Sequence, residues 1–356
     1  IHGSLQPIRP VIRPYYHHDT WLWHQGVVCR AFAPHHRVLP HPQPTPTLRQ
    51  RLLSLLRSSA LSDNGEAVTE AMLLGSKTRL DASVRAAYSD AGGSHLLALS
   101  GLHLSILTAV LFLLFGPHLH LHLLRLVVIL PLVWFYVYLA DAPPSLVRAA
   151  TMLSVWLAAD AVGRHTEGRD TLFFTILVML LVRPFWLFDT GFQLSVTAVY
   201  GLCAMPLVAQ NYGITWRPRH AVIRYTLGLI VTSTAATIAT APLVAYTFHR
   251  LPLWGWLMSA AYIPLTTIVM TLAPIMTLCL AFNVVATPLA TLADCVLQLQ
   301  LTIMRHTDAT LSPLYPSLLT TAIAYALLLC FVHHRRVPMY VASVSRIISM
   351  TGDRLI

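Results

Sequence analysis

Residues 95–115 read HLLALSGLHLSILTAVLFLLF, with no Asp, Glu, Lys or Arg among them. About 20 such residues, rising 1.5 Å each, are what a helix needs to cross the hydrocarbon of a bilayer. The stretch therefore predicts a membrane span, and similar text recurs along the chain. Spans are expected near 95–115, 121–140, 144–162, 171–188, 191–210, 222–248, 253–282 and 316–333, with a ninth candidate at 284–304. Composition agrees: of 356 residues only 11% are charged and 56% are hydrophobic, and the mean hydropathy is +0.63. An average soluble domain carries roughly 25% charged residues to cover its surface, and disordered chains are more polar still. The fold class expected is all-α, a polytopic transmembrane helical bundle of about eight or nine spans.

The flanks differ from this core. Residues 1–47 are rich in Pro and His, and Pro40, Pro42, Pro44 and Pro46 predict an extended linker. In 48–94, Leu48, Leu52, Leu55 and Leu56 share one helical face away from Arg49, Arg51 and Arg57, so this segment is expected to form amphipathic interfacial helices. The membrane domain is expected over 95–333 and a basic tail over 334–356. In the ninth candidate, Thr287, Thr291, Asp294, Gln298 and Arg305 make a polar stripe; that helix either lies in the interface or lines a polar cavity.

Charge sets an orientation. The net charge of +10 rests on 23 Arg and a single Lys, Lys77. Arg125 follows the first span, Arg164 and Arg169 the third, Arg217 and Arg219 the fifth. The positive-inside rule makes that side cytoplasmic and leaves 1–94 outside. The five cysteines form no C-x-x-C pair, and neither a disulfide framework nor a zinc site is expected. The His118–His122 run and the histidines upstream of residue 42 lack the accompanying carboxylates or thiols of a metal site. The chain opens Ile1-His2-Gly3 without Met and reads as a piece of something longer.

Polar residues inside spans are costly and normally face a bundle interior or a wet cavity. Ser100 and His103 enter the first span three residues apart, with Gly101 between them. Arg148 and Asp160 lie in the third span, Gln193 and Ser195 open the fifth, and Thr226, Ser233, Thr237 and Thr240 form a stripe on the sixth. The pore or motif candidates are Ser100, Gly101, His103, Arg148, Gln193, Ser195 and Thr237. A guanidinium keeps its charge, so Arg148 requires a partner, for which Asp141 and Asp160 stand nearby. The hydroxyl stripe fits a hydrated path or plain helix-to-helix bonding.

Gly92-Gly93-Ser94-His95-Leu96-Leu97-Ala98-Leu99-Ser100-Gly101-Leu102-His103-Leu104 resembles the signature of ComEC-type competence proteins, the inner-membrane DNA channels of natural transformation. Ala71-Met72-Leu73-Leu74-Gly75 upstream, Pro144-Ser145-Leu146-Val147-Arg148-Ala149, Gly191-Phe192-Gln193-Leu194-Ser195 and Ile263-Pro264-Leu265 are similar to further family motifs in the same order. Tyr15-Tyr16 through Val27 looks like the end of the family's extracytoplasmic OB-like β domain. The resemblance covers roughly residues 12 to 333. It departs at Ser259, where Asn is expected, and lacks the family's initial spans and the metallo-β-lactamase-like domain many members carry.

What the resemblance implies is a multi-pass inner-membrane channel for single-stranded DNA, without a cofactor and without catalysis. Its partners would be that strand, the lipid bilayer, other DNA-uptake proteins and, as an open alternative, further copies of itself. Two other classes compete. A small-solute secondary transporter would show internal repeats and broken helices at matched positions, and none is evident. An intramembrane serine protease would use Ser100, since Ala98-Leu99-Ser100-Gly101 is similar to the Gly-x-Ser-Gly of rhomboid-type enzymes. Ala98 stands where the first Gly belongs, and no later span offers a central His as base.

Overall fold

The computed structural model describes residues 2–7, 29–35, 47–115, 122–212, 220–307, 310–311 and 314–333. The Pro-rich linker, most upstream histidines, the His118–His120 run, Arg217, Arg219 and the basic tail lie outside them. Near the start, β1 (His2–Pro7) pairs antiparallel with β2 (Cys29–His35), Pro7 opposite Cys29. Thirteen α-helices follow among the described residues: α1 (Leu48–Arg57), α2 (Asp63–Leu74), α3 (Ala82–Asp90), α4 (Ser94–Leu97), α5 (Gly101–Phe115), α6 (His122–Leu139) and α7 (Pro144–Ala161), then α8 (Gly168–Val182), α9 (Thr190–Tyr212), α10 (Ala221–Phe248), α11 (Gly255–Ala281), α12 (Thr287–His306) and α13 (Leu318–His333).

The chain is mostly helical, but its helices are not uniformly span-length. Among the described residues only α9, α10 and α11 are both long and apolar enough to cross a membrane, while α5, Arg125–Leu139 and α13 are apolar but shorter. Two expected spans are broken, each for a local reason. The 95–115 run leaves helix at Ala98, whose backbone is extended, and restarts at Gly101. The 171–188 run ends at Val182, because Pro184 pushes Arg183 out of helical conformation (φ −142°, ψ 86°). Pro184–Phe188 continues as a 3-10 turn before α9 begins.

Packing divides the chain into two units, Ile1–Val196 with Pro252–Leu311, and Thr197–Leu251 with Ser312–Ile356. At the centre of the first unit lies α2, buried from Gly65 through Leu74. Its sequence explains its limits: Ser62 caps the start by accepting the Gly65 N–H at 3.2 Å, Asp63 and Glu66 favour the positive end, and Gly75 closes it at φ 72°. Around it α1, α3, α4, α11 and α12 contribute Leu56, Tyr88, Leu96, Met270 and Leu297 to one core. A second cluster, with Leu104, Ile129 and Leu146, joins α5, α6 and α7. Within the 48–94 segment only α2 is enclosed, whereas α1 and α3 each keep an exposed face.

In the second unit, Gly201 of α9 lets α10 approach closely: an added Cβ would stand 2.6 Å from the Ala239 Cβ and 2.9 Å from the Ala235 carbonyl. Asn211 Nδ2 donates to the Val332 carbonyl at 3.0 Å, and Tyr212 stacks on Phe331.

Candidate functional site

Ser100, Gly101, His103, Arg148 and Ser195 meet where α5, α7 and α9 begin. Ser100 is not part of a continuous first span; it is the residue from which α5 starts, its carbonyl accepting the Leu104 N–H. The Ser100 N–H donates to His103 Nδ1 at 3.1 Å, and the Ser100 hydroxyl sits 3.0 Å from the same nitrogen. His103 thereby fills the place that Glu or Gln takes in a capping box, returning from the third helical position to satisfy the cap's amide. Because Nδ1 is an acceptor, the proton of the neutral ring is assigned to Nε2. The imidazole is fully enclosed.

Arg148 lies one turn into α7, whose start is set by Pro144 at the first helical position. It is 4% exposed. Its Nη1 donates to the backbone carbonyl of Ser195 in the first turns of α9, and its Nη2 lies 3.3 Å from where a Cβ on Gly101 would be. Neither expected carboxylate is seen on it: Asp141 instead pairs with Arg49 of α1. The glycine at 101 is what makes room for the guanidinium. Nearby, the Ser145 hydroxyl donates to the Leu99 carbonyl, tying the start of α7 to the break before α5.

The Gln193 side-chain amide donates to the Leu187 carbonyl at 2.8 Å and so latches α9 to the 3-10 turn. Phe192 N–H donates to Asp189 Oδ1, which caps α9. Thr237 belongs to the second unit, on α10. Thr226 and Thr240 of its stripe donate to carbonyls four residues back on the same helix, so these hydroxyls are satisfied locally.

One polar cluster escaped the reading of sequence, and a second has a role it did not foresee. Glu70 is fully buried in α2, accepting from Arg57 Nε at 2.8 Å with Arg79 Nη1 at 3.7 Å, while Arg79 also donates to Glu66 at 2.7 Å. The bond to Glu66 is the main reason the Arg79 guanidinium is held above its usual value. The other cluster is on α12, where Asp294 Oδ1 accepts from the Ser62 hydroxyl at 2.6 Å and Gln298 donates to that hydroxyl at 2.9 Å. Two of the five residues of the expected polar stripe are therefore a docking face for the start of α2. Carboxylates spaced i, i+4 in otherwise apolar text (Glu66, Glu70) were the available signal for the first cluster. Among the described residues no three His, Cys, Asp or Glu side chains gather as a metal ion would need.

A family model described as Competence protein matches residues 72–337. The chain is 31% identical over 225 residues to ComE operon protein 3 of Bacillus subtilis (strain 168), an alignment taking in 62% of this chain and 27% of that protein. It is 24% identical over 239 residues to the uncharacterized protein YcaI of Escherichia coli (strain K12), covering 64% and 31% respectively. The chain thus matches less than a third of the length of these relatives. No solved structure matches it.

Proposed function

The chain belongs to the competence-protein family, and on that premise we propose that its helices build the inner-membrane channel through which single-stranded DNA enters the cytoplasm during natural transformation. The observation that carries the reading is the partner of Arg148. A path for phosphates needs positive potential without a tight anion site. Had Asp141 paired with Arg148, the two charges would cancel; the Ser195 carbonyl takes one N–H of the guanidinium and leaves its charge standing, with Nε still unpartnered. At an effective dielectric of 20, one such charge attracts a phosphate ~10 Å away by ~1.7 kcal/mol before salt screening. Buried among helix ends, it biases the path and holds nothing tightly.

The Ser100–His103 contact bears on the protease alternative. A serine nucleophile gives its proton to a free ring nitrogen, but His103 Nδ1 already accepts the Ser100 amide N–H. The pair acts here as a helix cap, and the reading retained is a channel wall rather than a catalytic dyad.

The test is transformation frequency in cells carrying Arg148→Leu or Arg148→Gln in the full-length gene, with protein abundance in the membrane measured alongside. Both variants are expected to lower DNA uptake by at least tenfold at normal abundance, the size of one lost ~1.4 kcal/mol term. Wild-type uptake by an abundant Arg148→Leu protein would overturn the proposal.

A further inference from the structure

Between residues 48 and 90, Arg49 pairs with Asp141, Arg57 with Glu70, and Arg79 with Glu66. Lys77 and Arg85 behave differently. They are drawn together, Arg85 Nη2 reaching the Lys77 carbonyl at 3.4 Å, and among the described residues neither forms an ion pair with a carboxylate. Asp81, between them in sequence, is engaged at the start of α3, where its Oδ2 accepts the Ser83 hydroxyl at 2.7 Å. Partial burial, and then the positive Arg85 beside it, hold the Lys77 ammonium below its usual range. Two like charges side by side repel each other unless an anion joins them.

Arg85 of this pair lines a cleft of about 380 Å³ along α3, together with Leu80, Ala82, Ala86 and Ser89; Lys77 lies three residues before Leu80 in the chain. Leu80, Ala82 and Ala86 give it an apolar lining, and Arg85 and Ser89 add a cationic and a hydroxyl-bearing residue. That is suited to a sugar–phosphate backbone and offers no donor set for reading bases. The loop bearing Lys77 also starts in a telling place. It leaves α2 at Gly75, where an added Cβ would lie 2.8 Å from the Leu99 side chain, one residue from the Ser100–Arg148 knot.

From this juxtaposition we infer that Lys77 and Arg85 form a phosphodiester-binding site that hands a single strand toward the helix ends at Arg148. The inference rests on the channel reading and gives it a point of entry. The recognition is electrostatic and sequence-independent, so it has a salt signature: each phosphate contact on a single strand contributes about 0.7 to the slope of log affinity against log salt. Two contacts amount to about 1.4, which at 0.1 M salt is about 25-fold in affinity.

The experiment uses the whole chain in nanodiscs of zwitterionic lipid, with a fluorescent thymidine homopolymer as probe. Lys77→Gln with Arg85→Gln is expected to weaken binding about 25-fold and to flatten the salt slope by about 1.4, with unchanged melting, whereas Arg51→Gln leaves both as in wild type. A variant-free measurement guards against misfolding. Lys77 is the single lysine of the chain, so an amine-reactive label followed by peptide mapping reports on it directly, and the oligonucleotide is expected to protect it several-fold. Wild-type binding by the double variant, with Lys77 unprotected, overturns this inference alone. Protection of Lys77 by anionic vesicles but not by the oligonucleotide assigns the site to lipid headgroups and overturns it too. A wild-type chain that binds no strand at all, together with normal transformation by Arg148→Leu, removes the channel reading as well.

Discussion

At Gly101 any other side chain would place a Cβ 3.3 Å from Arg148 Nη2 and 3.4 Å from the Ala149 Cβ. Neither neighbour can retreat easily, since the guanidinium is buried and bonded to the Ser195 carbonyl. Gly101→Leu is therefore expected to reduce transformation and folded yield sharply, by ~1–3 kcal/mol of overpacking. Ser100→Ala removes one hydroxyl from the cap while the amide bond to His103 remains, at a cost of ~1 kcal/mol, and uptake is expected to stay near wild type. Transformation assays with membrane immunoblots separate the two; loss of uptake in Ser100→Ala with tolerance of Gly101→Leu would return Ser100 to a chemical role. Sequence singled out Ser100, His103 and Arg148 separately, because polar residues in apolar text must be there for a partner, but it did not bring them together. The partner of Arg148 was not legible either. Asp141 and Asp160 were the near choices along the chain, whereas the carbonyl that Arg148 uses comes from 47 residues away and carries no signature of its own.

Helix α2 shows the opposite balance. Sequence put it in an amphipathic interfacial segment, whereas the structure buries it, with Glu66 and Glu70 paired to the flanking Arg79 and Arg57. Removing one member of a buried pair strands the other charge, at ~3–5 kcal/mol when fully enclosed. Glu70 is completely buried while Arg57 and Arg79 are 44% and 39% exposed, so the cost is lopsided. Glu70→Ala leaves two cations that water can reach; Arg57→Ala leaves a carboxylate that it cannot, with Arg79 and the Ser76 hydroxyl as its remaining help. Thermal unfolding in detergent is expected to drop more for Arg57→Ala than for Glu70→Ala, and the reverse order would show that Arg79 and Ser76 suffice for Glu70. At this scale sequence located the long apolar helices α9, α10 and α11 well. It missed the interruption at Ala98, where the unbroken hydropathy of 95–115 outweighed a backbone turn that only the Ser100–His103 cap specifies.

For the whole molecule, the Arg-bearing segments after the first and third expected spans predict that the α2–α3 loop and the α7–α8 loop face opposite compartments. In a background with the cysteines replaced, impermeant maleimide on intact cells is expected to label Thr78→Cys and to leave Thr166→Cys unlabelled until the membrane is breached. Equal labelling of both from outside would discard the orientation. The enclosure of α2 also bears on how such a chain is made. Asp294 and Gln298, which clasp Ser62 at the start of α2, come 232 and 236 residues after it. A ribosome adds ~5–20 residues each second, so the helix waits of the order of ten seconds or more for the walls that will surround it. Its acidic residues need not wait with it: Arg57 and Arg79 lie 13 residues from Glu70 and Glu66 respectively and emerge almost together with them. The charges are neutralised within the newborn segment itself, which can then be swallowed late by α11 and α12 as an already quiet piece of protein.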